Sequence, residues 1–248
     1  MKLGFIGTGN MASAIMGGII SKGVIPADEI IGADLFAPGR ERVKEKFGIH
    51  VTADNNEVVE KADVVLLSVK PQFYADVISG IKDKIRPDQI VITIAPGKTL
   101  SWLAEQFGKD VKIVRCMPNT PAMVGEGMTA ACPNEHMTEE EIEYVKTLLS
   151  SFSLVEIVPE KLMDTVTAVS GSSPAYVFMF IEAMADAAVL DGMPRAQAYK
   201  FAAQAVLGSA KMVLDTGKHP GELKDMVCSP AGTTIDAVRV LEECGFRG

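Results

Sequence analysis

Lys2-Leu3-Gly4-Phe5-Ile6-Gly7-Thr8-Gly9-Asn10-Met11-Ala12 is the stretch whose reading decides the fold. Leu3 to Ile6 is a short apolar run of the buried-strand kind. Gly7-Thr8-Gly9-Asn10-Met11-Ala12 then fits G-x-G-x-x-G/A, and Met11, Ala14, Ile15 and Met16 open an apolar helical pattern. In a strand, turn and helix of this kind Gly7 takes the tight turn. Gly9 lets backbone approach a pyrophosphate without a Cβ in the way, and Ala12 is small enough for the helix to pack on the strand. The helix N-terminus offers unpaired N–H groups to an anion. An ordinary strand-to-helix glycine turn has the same local form, so the assignment to dinucleotide binding rests on the strands and loops downstream of it.

Composition sets the outer limits. A chain of 248 residues with 48% hydrophobic residues can bury a substantial core, in one large domain or two smaller ones. No apolar run by itself reaches the roughly 18 residues of a membrane helix, and the N-terminus lacks the features of a signal peptide. A cytoplasmic protein with no membrane contact is expected. The net charge of −8 argues against a nucleic-acid binder. Cys116, Cys132, Cys228 and Cys244 show neither C-x-x-C spacing nor histidine partners, so no metal site or disulfide framework is indicated and reduced core thiols are expected.

Downstream, the first helix should run to about Lys22 and stop at Gly23. Glu29 to Ala33 reads as a second strand ending at Asp34, about 20 residues beyond the glycines, where an acid meets the adenosine ribose of a bound dinucleotide. A carboxylate there favours a free 2′-hydroxyl, whereas Arg40 or Arg42 would suit a 2′-phosphate. The charges from Arg40 to Lys46 also fit a solvated helix face. Val64 to Leu67 is a strand covered on both faces, as in parallel sheets, and it leads into Ser68-Val69-Lys70-Pro71 with Lys70 at its carboxyl end. Ile90 to Ile94 and Val111 to Arg115 repeat the design, followed by Ala95-Pro96-Gly97 and by Cys116-Met117-Pro118-Asn119-Thr120-Pro121. The two prolines of that last loop would hold Asn119 and Thr120 against a ligand, or simply shape a turn.

Thr138, followed by three glutamates, is a helix N-cap, and Leu154 to Val158 closes the strand-bearing half. Beyond Pro159 only helical periods remain, at 161–169, 174–191, 194–215, 221–227 and from Thr233. The expected architecture is therefore α/β: a Rossmann-type dinucleotide-binding domain at 1–158, then an all-α domain at 159–248. Ala175 to Leu190 is apolar almost all round but carries Glu182 and Asp186, which predicts a buried helix. The alanine-rich 194–213 helix permits close approach, and such helices could be covered by a second copy of the chain.

Five phrases carry a resemblance: Phe5 to Ala12, Ser68-Val69-Lys70-Pro71, Met117-Pro118-Asn119-Thr120-Pro121, Ser170-Gly171-Ser172-Ser173-Pro174-Ala175-Tyr176, and Leu223 to Thr234. In this order, across the whole chain, they resemble the pyrroline-5-carboxylate reductases. The resemblance implies hydride transfer from NADPH, with NADH as the other cofactor, to the ring imine of 1-pyrroline-5-carboxylate, giving L-proline.

The same resemblance assigns Ile6, Gly7, Thr8, Gly9, Asn10, Met11, Asp34, Asn55, Ser68, Val69, Lys70, Pro71 and Ala95 to the cofactor. It assigns Glu160, Ser229, Gly232, Thr233 and Thr234 to the substrate. Thr234 is placed to hydrogen-bond the ring nitrogen and to donate or relay a proton, although a helix-cap hydroxyl is its other reading. The family interlocks helical domains, so the resemblance implies a homodimer through the C-terminal helices or a larger ring of dimers. Members usually continue for a further helix after Gly245-Phe246-Arg247, which implies a truncated or short variant. Asp34 departs from what a strict NADPH enzyme would carry.

Two other classes share parts of this pattern. The 3-hydroxyacid dehydrogenases need a lysine soon after a G-S-G-type turn, and here none follows Gly171 until Lys200. A non-catalytic NAD(P)-binding regulatory protein would keep the first domain without turnover.

Overall fold

The computed structural model describes residues 2–248, in two compact units: one ending at Ala175 and one spanning Tyr176–Gly248. The first is built on an eight-stranded sheet. Its strands are β1 (Leu3–Ile6), β2 (Ile30–Ala33), β3 (His50–Thr52), β4 (Val64–Leu67), β5 (Ile90–Thr93), β6 (Lys112–Met117), β7 (Gly127–Pro133) and β8 (Ser153–Ile157). Their order is 3-2-1-4-5-6-7-8. The pairs from β3 to β6 are parallel, β7 runs antiparallel to β6, and β8 is parallel to β7. The first six strands thus have the doubly wound order of a dinucleotide fold, in which ligands sit at the carboxyl ends near β1 and β4.

Every residue of β1, β2, β4 and β5 is buried, which explains their unbroken apolar sequences: helices cover both faces. Helices α1 (Asn10–Ser21) and α6 (Glu139–Leu149) pack with Leu3, Phe5, Val64 and Leu66 on one face. Helices α3 (Asn55–Lys61), α4 (Tyr74–Ile81) and α5 (Leu100–Phe107) pack with Ile6, Val65 and Leu67 on the other. The charge-rich segment is α2 (Ala37–Phe47), which buries only Gly39 and Val43. Thr138 caps α6 in a reciprocal capping box with Glu141. Gly23 follows α1 at φ +66°.

Two strands escape sequence reading. β3 has three residues, and β7 reads Gly-Met-Thr-Ala-Ala-Cys-Pro, without the β-branched run that marks a strand.

After a short 3₁₀ turn at Glu160–Leu162 the chain becomes helical through α7 (Met163–Val166), a π-turn at Thr167–Gly171 and α8 (Ser173–Leu190). Helices α9 (Arg195–Thr216), α10 (Pro220–Val227) and α11 (Thr233–Glu243) complete the chain. The expectation of a buried helix at 175–190 is corrected here: of α8 only Ala185 is buried, while Tyr176, Phe178 and Met179 are exposed. An apolar sequence forms the helix, but the described residues leave most of its side chains open. Counted without a break, Glu160–Leu190 is also long and apolar enough, by length and composition alone, to cross a membrane, which separate apolar runs do not reveal. The core-thiol expectation holds for Cys116 and Cys132, which are buried, but not for Cys228, which is half-buried, or Cys244, which is exposed.

Candidate active site

The glycine loop is held from three sides. Gly7 N–H donates to the Ala33 carbonyl at 2.7 Å, and Ser68 N–H to the Ile6 carbonyl at 2.8 Å. The Ser68 hydroxyl reaches the Gly7 carbonyl at 2.6 Å. Gly7 sits at φ +98°, and a Cβ there would fall 2.8 Å from the Ser68 carbonyl oxygen, so only glycine fits. A Cβ at Gly9, by contrast, would meet nothing within 4 Å. No packing inside the chain requires that glycine. Bare backbone at the start of α1, with no side chain capping the helix, fits a pyrophosphate lying close against it.

Asp34 follows β2 and faces the loop. Its Oδ2 accepts from Thr8 N–H at 2.8 Å and from the Thr8 hydroxyl at 3.0 Å, and its Oδ1 accepts from Phe36 N–H at 3.0 Å. Arg40 donates to the Asp34 carbonyl at 2.5 Å, and Arg42 to the Thr8 carbonyl at 3.2 Å. Both arginines therefore help to fasten this corner, a role the sequence does not reveal. Asn55 opens α3 one residue after Asp54, whose carboxylate caps that helix.

The carboxyl ends of β4 and β5 are tied by a buried pair. Tyr74 OH donates to the Leu67 carbonyl at 2.6 Å, and Thr93 Oγ1 donates to Tyr74 OH at 3.0 Å. Burial pushes the Tyr74 phenol up to about 12. This pair sets the strand ends that carry Ser68, Val69, Lys70 and Pro71 on one side and buried Ala95 on the other. Lys70 itself is exposed just before a 3₁₀ turn led by Pro71.

Glu160 also belongs to the first unit. Its Oε1 accepts from Arg115 at 2.8 Å and from Leu100 N–H at 2.7 Å, and the Arg115 side chain is 4% exposed. The residue matched to a substrate position thus has a structural task as well. Burial pushes the neighbouring Cys132 thiol up, and the Glu160 charge adds to this, so no reactive thiolate arises. The Cys116 thiol is likewise pushed far up by burial.

In the second unit Ser229 to Thr234 forms a tight turn at the start of α11. Gly232 N–H donates to the Ser229 carbonyl at 3.0 Å, and Ala231 adopts φ +57°. A Cβ at Gly232 would lie 2.4 Å from Ser229 Oγ, so the serine hydroxyl folds over this glycine and would have to swing away from a larger residue. No side chain caps α11. The first-turn N–H groups, with Ser229 exposed and Thr234 half-buried, make a surface suited to a carboxylate. No cluster of three or more His, Cys, Asp or Glu able to hold a metal occurs among the described residues.

Comparison with known proteins bears directly on this arrangement. Residues 160–248 match the family described as pyrroline-5-carboxylate reductase dimerisation, and residues 2–97 the family described as NADP oxidoreductase, coenzyme F420-dependent. The pyrroline-5-carboxylate reductase of Escherichia coli K12 is 54% identical over 99% of this chain and 91% of its own length. The chain belongs to the pyrroline-5-carboxylate reductase family. The Arabidopsis thaliana reductase is 44% identical over 99% of this chain and 89% of its own. A Coxiella burnetii reductase structure superposes with a TM-score of 0.92 at 36% identity, covering 99% of this chain and 92% of that one. A Plasmodium falciparum pyrroline carboxylate reductase with NADP bound superposes at 0.90 and 32% identity, covering 100% and 91%. The glycine loop and the Ser229–Thr234 turn each stand in this chain on a hydrogen-bonded framework.

Proposed function

We propose that this chain reduces 1-pyrroline-5-carboxylate to L-proline at the expense of NAD(P)H, the last step of proline synthesis. The observation that carries this reading is the pairing of a bare glycine loop with the Ser229–Thr234 turn, in a chain 54% identical to a reductase of that name. The bound nicotinamide would supply a hydride to the imine carbon. Ile6 to Met11 would hold the pyrophosphate, with Asp34 at the adenosine ribose and Asn55, Ser68, Val69, Lys70, Pro71 and Ala95 along the rest. Ser229, Gly232 and Thr233 would take the substrate carboxylate, and Glu160 is the acidic residue that the family resemblance assigns to the substrate. Thr234 would hydrogen-bond the ring nitrogen as it passes from iminium to amine. A protonated imine is already electrophilic, so no strong acid is needed and a hydroxyl suffices to orient the nitrogen.

The family match at 160–248 supports a functional division into a dinucleotide-binding domain at 1–158 and a helical domain at 159–248 for substrate and dimerisation, although the compact units divide at Ala175. The exposed apolar helices support a homodimer, or a ring of dimers, and the reductase reading goes with action in the cytoplasm. NADPH is the family's usual donor. The fixed Asp34 carboxylate works against a 2′-phosphate and leaves NADH as a competent alternative.

The test is oxidation of NADPH, and separately NADH, by the purified chain with 1-pyrroline-5-carboxylate, beside Thr234→Val. Turnover by the parent and a lower kcat in the variant are expected. Folded protein that binds cofactor but turns over neither would refute the proposal.

A further inference from the structure

Pro174 creates a defect in the helix that carries Ser170-Gly171-Ser172-Ser173. In a continuous α-helix the Ser170 carbonyl would accept from residue 174, but a proline has no N–H and its ring crowds that same carbonyl. The chain responds by widening. Thr167–Gly171 is a π-turn, closed by Ser172 N–H donating to the Thr167 carbonyl at 2.8 Å. Asn119, in the loop after β6, supplies the missing bond: its Nδ2 donates to the Ser170 carbonyl at 3.0 Å, while its Oδ1 accepts from Met128 N–H at 2.8 Å. Asn119 is 9% exposed, and both ends of its amide are used.

Next to this latch lies Gly171. A Cβ there would be 3.6 Å from Thr167 Cγ2 and 4.0 Å from Met117 Sδ, both ordinary contacts, and its φ is not in the left-handed region. Neither space nor conformation inside the chain calls for glycine at this position, as is also true of Gly9 in the cofactor loop. The π-turn itself costs helix hydrogen bonding, and such turns recur where function demands them.

We propose that Asn119 is a positioning residue for the reduction, holding the π-turn so that the bare edge at Gly171 meets the substrate ring. This rests on the reductase reading above. Asn119 replaces the bond that Pro174 denies to Ser170, and Gly171 leaves room for a flat ring where a methyl group would intrude.

Two variants test it. Gly171→Ala adds a methyl at ordinary contact distance and removes a helix-weakening glycine, so its Tm should stay level or rise while kcat with 1-pyrroline-5-carboxylate falls about tenfold or more. Asn119→Asp keeps the acceptor for Met128 and loses the donor. It should speed hydrogen exchange at 167–172 and lower kcat about tenfold, with NADPH Kd within about twofold of the parent. Unchanged kcat in Gly171→Ala, or a loss in Asn119→Asp that merely follows its unfolded fraction, would overturn the proposal. A parent that shows no turnover would refute the proposed function instead. Exchange at 167–172 would then judge the latch alone, unchanged rates in Asn119→Asp counting against it.

Discussion

One oxygen of Asp34 serves both donors of Thr8, the backbone N–H at 2.8 Å and the hydroxyl at 3.0 Å, so the carboxylate proposed to meet the ribose also braces the glycine loop. Thr8 is fully buried, which makes this brace internal. Removing the charge while keeping the shape should separate the two roles. In Asp34→Asn the kcat/KM ratio of NADPH to NADH is expected to rise about tenfold, roughly 1.4 kcal/mol of altered discrimination. Asp34→Ala should raise KM for both cofactors. Initial rates with each cofactor measure this; an unchanged ratio in Asp34→Asn would remove Asp34 from 2′-discrimination.

Glu160→Gln leaves the nearly buried Arg115 without its counter-ion, and Arg115 Nε already has no hydrogen-bond partner. Breaking such a pair from one side strands a charge, and with Glu160 partly exposed the expected cost is about 2–3 kcal/mol. Urea denaturation gives the number. A stability within about 0.5 kcal/mol of the parent, together with a raised KM for substrate, would assign Glu160 to substrate binding alone.

Tyr74 predicts an alkaline weakness. Its phenol is held up at about 12 by burial, whereas the unfolded chain titrates near 10. Between these values the folded state binds the extra proton, so stability is complete below about pH 10 and falls as pH rises toward about 12. The slope should approach about 1.4 kcal/mol per pH unit, and it should vanish in Tyr74→Phe. That variant should also lose about 1–2 kcal/mol at pH 8, through the Leu67 and Thr93 hydrogen bonds. Denaturation midpoints from pH 8 to 11.5 check both expectations.

Phe178, Leu190 and Leu214 are 63%, 88% and 74% exposed in the single chain. Large apolar side chains left this open along successive helices mark surfaces covered in an assembly. Light scattering at micromolar concentration should give at least twice the chain mass. A monomer would count against the dimer and against any site shared across it.

The strands that build the cofactor platform were legible because each is a continuous apolar run, and a strand buried on both faces needs no alternation. Helices α8 to α11 were legible to within about two residues, since prolines and glycines punctuate them. β3 and β7 were not. Three residues at a sheet edge, or a row of small side chains, carry too little local signal, and pairing with β2 and β6 is what makes them strands. Asp34 was picked out by its spacing from the glycines, but its two donors on Thr8 were not, because Thr8 gains its meaning only once β1 and β2 lie side by side.

By itself, then, the sequence determined the glycine loop, the doubly wound half, the helical half and the turn before α11, since these depend on periodicity, chain stiffness and which residues tolerate bare backbone. Only the tertiary structure decided that Asn119 completes the bond Pro174 withholds from Ser170, that Glu160 answers Arg115, and that α8 lies open within its own chain. Local pattern records what a segment can form. Which hydrogen bonds are left over, and what meets them, depends on neighbours distant in sequence that only folding brings within 3 Å.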